Sequence, residues 1–223
     1  LDMSYKFTRK KLIWVFLLLL VLIWLIFFAK KSQTFEVFDE EGRAWDMTVV
    51  RPPWSKYSNK VIFTSGDDKF IMDFKGKYEH NIYKIQTGRV NDETNFDIAF
   101  GVYNKAPSHQ VYAKRMFIYY IDDGILRPKF RCSRFIRPMV DFALADLDGD
   151  GFDEIYTIEK YKNQYSLNMY RQYDLKIELI SSFDLDFKAD SFLIDQGLFL
   201  VGDEIHQVYL KNEEVSICLL YTS

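Results

Sequence analysis

Cysteine and histidine are scarce in this chain, with two and three in 223 residues. Cys132 and Cys218 make neither a metal-ligand spacing nor a disulfide framework. His80, His109 and His206 lie far apart and form no H-E-x-x-H motif. The chain also lacks a G-x-S-x-G elbow, a G-x-G-x-x-G turn and a P-loop. These absences remove the motif-borne hydrolase, dinucleotide and nucleoside-triphosphate readings. Carboxylates are plentiful, so an acid pair of the glycosidase type stays open. The formal net charge is −3, which gives bulk electrostatics no reason to favour nucleic acid. No helical stripe of three turns follows residue 31. Aromatics reach 17%, mostly Phe and Tyr, and such residues favour strands.

What the chain does have is a dense acidic loop, Asp146-Leu147-Asp148-Gly149-Asp150-Gly151-Phe152-Asp153-Glu154. Its carboxylates repel one another unless something positive sits among them. A hard cation such as Ca²⁺, which takes six to eight oxygens, meets that need. Asp146, Asp148 and Asp150 alternate along the loop, and Gly149 and Gly151 permit a tight curl. The Phe152 carbonyl and the Glu154 carboxylate are placed to close the shell. An EF-hand starts the same way but needs a Glu at position 12, where this chain has Thr157. The flanks, residues 140–145 and 155–158, are short, apolar and β-prone. The plainer alternative is a solvated acidic hairpin without metal.

Strand, then D-h-D-x-D-G-h-x-D/E, then strand resembles the calcium loop of the FG-GAP/VCBS repeats, the integrin-alpha-like β-propeller family. Asp146, Leu147, Asp148, Asp150, Gly151, Phe152 and Glu154 match the motif positions. The resemblance is to a bacterial-type, membrane-anchored member. It implies four-stranded antiparallel blades, with Ca²⁺ held by Asp146, Asp148, Asp150, Phe152 and Glu154.

A second copy supports a repeat. Displaced by 57 residues, Arg89 aligns with Asp146, Asn91 with Asp148, Glu93 with Asp150 and Asp97 with Glu154. This copy has Arg at the first ligand position and Thr94 in place of the second glycine. The expectation is one Ca²⁺ rather than two. The Arg89 guanidinium would stand in for the cation against Glu93 and Asp97, or else point to solvent. Repeats of about 40–60 residues with four strands each fit propeller blades. The expected architecture is all-β, a partial propeller of about three to four blades at roughly 50 residues each. Its units run over about 35–83, 84–139, 140–187 and 188–217. Residues 218–223 are set aside as a doubtful tail, and truncation is expected.

Ahead of the strands, Leu12 to Ala29 carries no charge and no proline. As a helix it would be about 27 Å long, close to the hydrocarbon thickness of a bilayer. A cleaved signal peptide is the rival, but no A-x-A-like site follows. Residues 12–29 are therefore expected to be an uncleaved transmembrane anchor. Residues 1–11, with Lys6, Arg9, Lys10 and Lys11, would be cytoplasmic and residues 35–217 extracytoplasmic.

Between Lys105 and Arg137 eight basic residues face only Asp122 and Asp123. Arg127, Lys129 and Arg131 alternate and would share one face of a strand. That stripe suits an anionic envelope polymer or a protein partner, or simply a charged edge that resists aggregation. The functional expectation is a membrane-anchored binding or scaffold module at the cell envelope. The alternatives are a propeller-based polysaccharide hydrolase or lyase, and a propeller that assists assembly of other envelope proteins.

Overall fold

The computed structural model describes residues 9–28, 31–52, 54–77, 79–91, 96–173 and 176–220, with side chains for all of these except 9–12, 23–28 and 31. The sequence folds into four consecutive antiparallel sheets of four strands. The first sheet holds β1 (Lys31–Phe38), β2 (Ala44–Arg51), β3 (Lys60–Ser65) and β4 (Asp68–Asp73). The second holds β5 (Ile82–Gly88), β6 (Asp97–Ala106), β7 (His109–Asp122) and β8 (Ile125–Arg131). The third holds β9 (Met139–Ala145), β10 (Glu154–Tyr161), β11 (Gln164–Tyr173) and β12 (Lys176–Leu185). The fourth holds β13 (Ala189–Ile194), β14 (Leu198–Gly202), β15 (Ile205–Lys211) and β16 (Glu214–Leu219). Within each sheet spatial order follows chain order, because adjacent strands are joined by short turns.

Those turns have local causes. Asp122 pairs with Ile125 across Asp123-Gly124, which takes φ of 48° and 66°. Two consecutive positive φ values match the twist of a hairpin, and Asp-Gly supplies them readily. Ahead of β2, the buried Asp39 carboxylate accepts from the backbone N–H of Glu41 and Arg43 and from Trp45 Nε1. That set of bonds fixes the first hairpin, whose second strand the sequence reading had missed.

Burial explains how the sheets stack. In β2 the buried residues alternate as Trp45, Met47 and Val49, so the first sheet buries one face. The leading residues of β6 and β10 are buried in unbroken runs. An unbroken run means cover on both faces. Three hydrophobic cores result: one between the first and second sheets around Phe63 and Phe100, one between the second and third around Met116 and Phe142, and one between the third and fourth around Tyr156 and Leu200. The leading strands are also tied directly. Lys84 Nζ on β5 donates to Asp141 Oδ2 and to the Phe142 carbonyl on β9, both at 2.6 Å. Asp141 Oδ2 also accepts the Phe192 N–H of β13 at 2.9 Å.

One expectation is corrected by the fold. Helix α1 spans Arg9–Phe28, but no helix among the described residues is long and apolar enough to cross a membrane. The transmembrane anchor at 12–29 and the single-pass placement built on it are overturned. Residues 1–8 and 29–30, which carried part of the orientation argument, lie outside the described residues. Residues 218 and 219 belong to β16, where Cys218 pairs with Gln207 and Leu219 with His206; residues 221–223 of the doubtful tail lie outside the described residues.

Candidate metal centre

The loop of residues 146–153 joins β9 to β10, and Ala145 pairs with Glu154 at its base. Its curl is built from its own acids. Asp146 accepts the Gly149 N–H at 2.7 Å through one oxygen and the Gly151 N–H at 2.9 Å through the other. Asp148 accepts from the Asp150 N–H, and Asp150 from the Phe152 N–H. Gly149 and Gly151 take φ of 77° and 92°, a region that side chains with a Cβ rarely occupy. Leu147 packs against the core between the third and fourth sheets, which anchors the loop while its acids turn outward.

Carboxylate oxygens of Asp146, Asp148 and Glu154 all lie within 4.8 Å of one another. Asp146 and Asp148 are exposed, and Glu154 is buried. Asp150 remains on the loop and Phe152 is half-buried. A residue the sequence reading missed enters from β11. Arg171 holds Glu154 Oε1 through Nε at 3.2 Å and Nη2 at 3.1 Å, and Nη2 also pairs with Asp148. Burial raises the Glu154 pKa, and Asp148 adds to the rise. Burial pulls the Arg171 pKa down, but the Glu154 and Asp148 carboxylates outweigh it and the net shift is upward.

The second copy occupies the equivalent hairpin. Gly88 pairs with Asp97 at the base of the β5–β6 loop, as Ala145 pairs with Glu154. Asp97 is fully buried and accepts the Val90 N–H at 2.9 Å. Its cation is not Arg89. Lys129 Nζ on β8 lies 3.0 Å from both Asp97 oxygens, while Arg89 and Asn91 are exposed and Glu93 lies outside the described residues. The buried acid is thus paired with an ammonium delivered from another strand.

The two loops also touch. The Asp153 N–H donates to the Arg89 carbonyl at 2.6 Å, and the Arg89 N–H donates to Asp153 Oδ2 at 2.8 Å. Burial raises the Asp153 pKa. The approach requires Gly88, since a Cβ there would stand 2.2 Å from Asp153 Oδ2.

The expected basic stripe on β8 is broken up. Arg127 is opposite Tyr120 and Arg131 opposite Phe117, with a register shift between. Cross-strand partners share a face and alternate along a strand, so the bulge puts Arg127 and Arg131 on opposite faces. Arg127 pairs with Asp122, Lys129 with Asp97, and Arg131 lies 5.5 Å from the Tyr119 ring centroid. The histidines are dispersed as well. His80 bonds Tyr119 Oη at 2.6 Å, His206 stacks on Phe187, and His109 Nδ1 lies 3.1 Å from Arg115 Nη2.

Comparison with models of known protein families found no match to this chain, and comparison with curated proteins found none either.

Proposed function

We propose that the chain is a β-propeller-type repeat protein of the FG-GAP/VCBS kind, in which the 146–154 loop holds one Ca²⁺ and the sheets serve as a binding or scaffold module. The observation that carries the metal reading is the convergence of Asp146, Asp148 and Glu154 oxygens within 4.8 Å. Charge decides the fit. Asp146, Asp148, Asp150 and Glu154 bring four negative charges, and Arg171 returns one. The remaining excess suits a divalent ion with hard oxygen ligands. In the 89–97 loop, among the described residues, one ammonium pairs with the buried acid Asp97. The propeller reading is supported by four sheets in chain order, three shared cores and a 57-residue displacement that relates Gly88–Asp97 to Ala145–Glu154.

When bound, Ca²⁺ would neutralise the loop and draw its acids inward; Asp146, Asp148, Asp150, Glu154 and the Phe152 carbonyl would hold it. The protein's own share is to pre-form the curl through the Asp146 bonds to Gly149 and Gly151. Calorimetric titration of chelator-treated protein with CaCl₂ tests the reading. One site is expected, lost in Asp148→Ala. Two equivalent sites, or undiminished binding by the variant, would overturn it.

A further inference from the structure

Four of the five basic residues from Lys105 to Arg137 that lie off β8 border one cleft. A cleft of about 420 Å³ opens between the start of β7, the connection from β8 to β9, and the end of β10. Lys114, Arg115, Arg134 and Arg137 all line it. Among the described residues its lining includes no Asp, Glu, Asn or Gln. The Lys114 ammonium donates to the Val140 carbonyl and packs on Tyr83, outside the lining, but in a protein of net charge −3 three guanidiniums around one cleft without a lining carboxylate still form a local inversion of sign.

The floor sharpens the argument. Arg115 is 1% exposed. Its guanidinium donates to the carbonyls of Asn104, His109 and Val111, and Nη2 lies 3.1 Å from His109 Nδ1. These acceptors are neutral carbonyls and an imidazole, so the buried charge is hydrogen-bonded without a contacting carboxylate. Arg137 is half-buried, and its Nη1 comes no nearer than 3.6 Å to Asp184. Arg134 is exposed at the rim. The uncharged lining is apolar or aromatic at the mouth: Val111 and Ile136 are exposed, as are the rings of Tyr112 and Tyr161.

We propose that this cleft binds an acidic peptide segment of a partner protein, with its carboxylates on Arg134 and Arg137 and a neighbouring apolar side chain against Val111 and Ile136. Arginine and lysine offer donors and no acceptor, so the ligand must be rich in acceptors. A neutral saccharide presents hydroxyls that also need acceptors, usually supplied by Asp, Glu, Asn or Gln side chains that this lining lacks. Carboxylates answer the arginines with charge-assisted, often bidentate bonds. The exposed Val111 and Ile136 find better cover in an apolar peptide side chain than in a sugar ring. The volume falls within the range of about 300–1,000 Å³ typical of ligand pockets. The proposal names a ligand for the binding-module reading and is independent of the calcium loop, so either can fail while the other stands.

Fluorescence anisotropy with a labelled peptide of alternating Glu and Leu tests it on the whole chain. The peptide is expected to bind, and a Lys-Leu peptide is not. Arg134→Glu combined with Arg137→Glu should weaken binding at least about tenfold, the loss expected when paired charges are reversed. Arg134→Gln, at an exposed position that leaves the fold intact, should weaken it several-fold. Arg127→Glu, on a strand outside the cleft, should not change it. Affinity should fall with added salt, as exposed charge pairs are screened within about 8–10 Å at physiological ionic strength. Equal binding by the charge-reversed protein would overturn the site. Displacement of the peptide by polygalacturonate at matched charge would overturn the peptide assignment in favour of an acidic saccharide.

Discussion

The loops at 146–154 and 89–97 occupy the same place in neighbouring sheets and resolve the same problem differently. Each closes on a buried carboxylate that opens a strand, Glu154 in one and Asp97 in the other. Each carboxylate meets a cation from elsewhere in its own sheet, Arg171 or Lys129. The difference, among the described residues, is the number of acids. Asp97 pairs with one ammonium that is 14% exposed. Glu154 is accompanied by Asp146, Asp148 and Asp150 around a single guanidinium that is 35% exposed, which leaves negative charge for an ion to take. In both loops a basic residue from another strand of the same sheet reaches the buried acid and holds the turn.

The sharpest way to break this comparison is Lys129→Ala. It would leave the Asp97 charge buried without its ammonium, and breaking a buried pair from one side costs about 3–5 kcal/mol. Urea denaturation should show a loss of that order, indifferent to Ca²⁺. Adding Asp97→Asn should recover part of it, because the charge then disappears while the side chain still accepts the Val90 N–H.

Next in size is Arg171→Ala. Its partner Glu154 is buried but the guanidinium is partly solvated, so about 2 kcal/mol is expected in chelator, below the fully buried case. Here calcium should matter. The ion would supply the charge that the arginine gave, so the loss should shrink on adding CaCl₂. Calcium affinity should rise, since a competing cation has gone. Equal destabilisation with and without calcium would separate Arg171 from the metal site.

What was legible in the sequence was local. The acidic loop, its glycines and the 57-residue echo lie within short windows, and the two-residue hairpin turns advertise themselves through residues such as Asp123-Gly124. The all-β class and four-stranded antiparallel sheets followed from the same signals. The cations were not legible. Arg171 reaches Glu154 from 17 residues away and Lys129 reaches Asp97 from 32, distances set by strand register. The bulge opposite Ile118 and Tyr119 cannot be read from alternation, and it broke up the basic stripe that alternation implied. The apolar run near the N-terminus misled for a different reason: hydropathy alone set the length of the expected span.

Gly88→Ala addresses the contact between the loops. The new Cβ would stand 2.2 Å from Asp153 Oδ2, so the carboxylate must swing away and abandon the Arg89 N–H. Losing one hydrogen bond to a charged, largely buried group costs about 1.5–3 kcal/mol, and side-chain flexibility argues for the lower end. Thermal melts should show a modest fall. Hydrogen exchange should quicken at the amides of Arg89 and Asp153 and leave the fourth sheet unaffected.

The smallest effect is expected at Arg89, and it bears most directly on which residue answers the buried Asp97. If Arg89 were the surrogate cation, Arg89→Ala would destabilise the protein as Lys129→Ala does. Its side chain is exposed, and exposed substitutions away from special features stay within about 0.5 kcal/mol. What Arg89 contributes is backbone: its N–H donates to Asp153 Oδ2, and its carbonyl accepts the Asp153 N–H. Alanine keeps both groups, so the melting temperature of Arg89→Ala should match the parent. Proline removes the donor, so Arg89→Pro should show a loss at least as large as Gly88→Ala. Loss in the proline variant without loss in the alanine variant assigns Arg89 a main-chain role. A marked loss in Arg89→Ala would return the cation to the side chain and set Lys129 beside it as a second partner of the same acid.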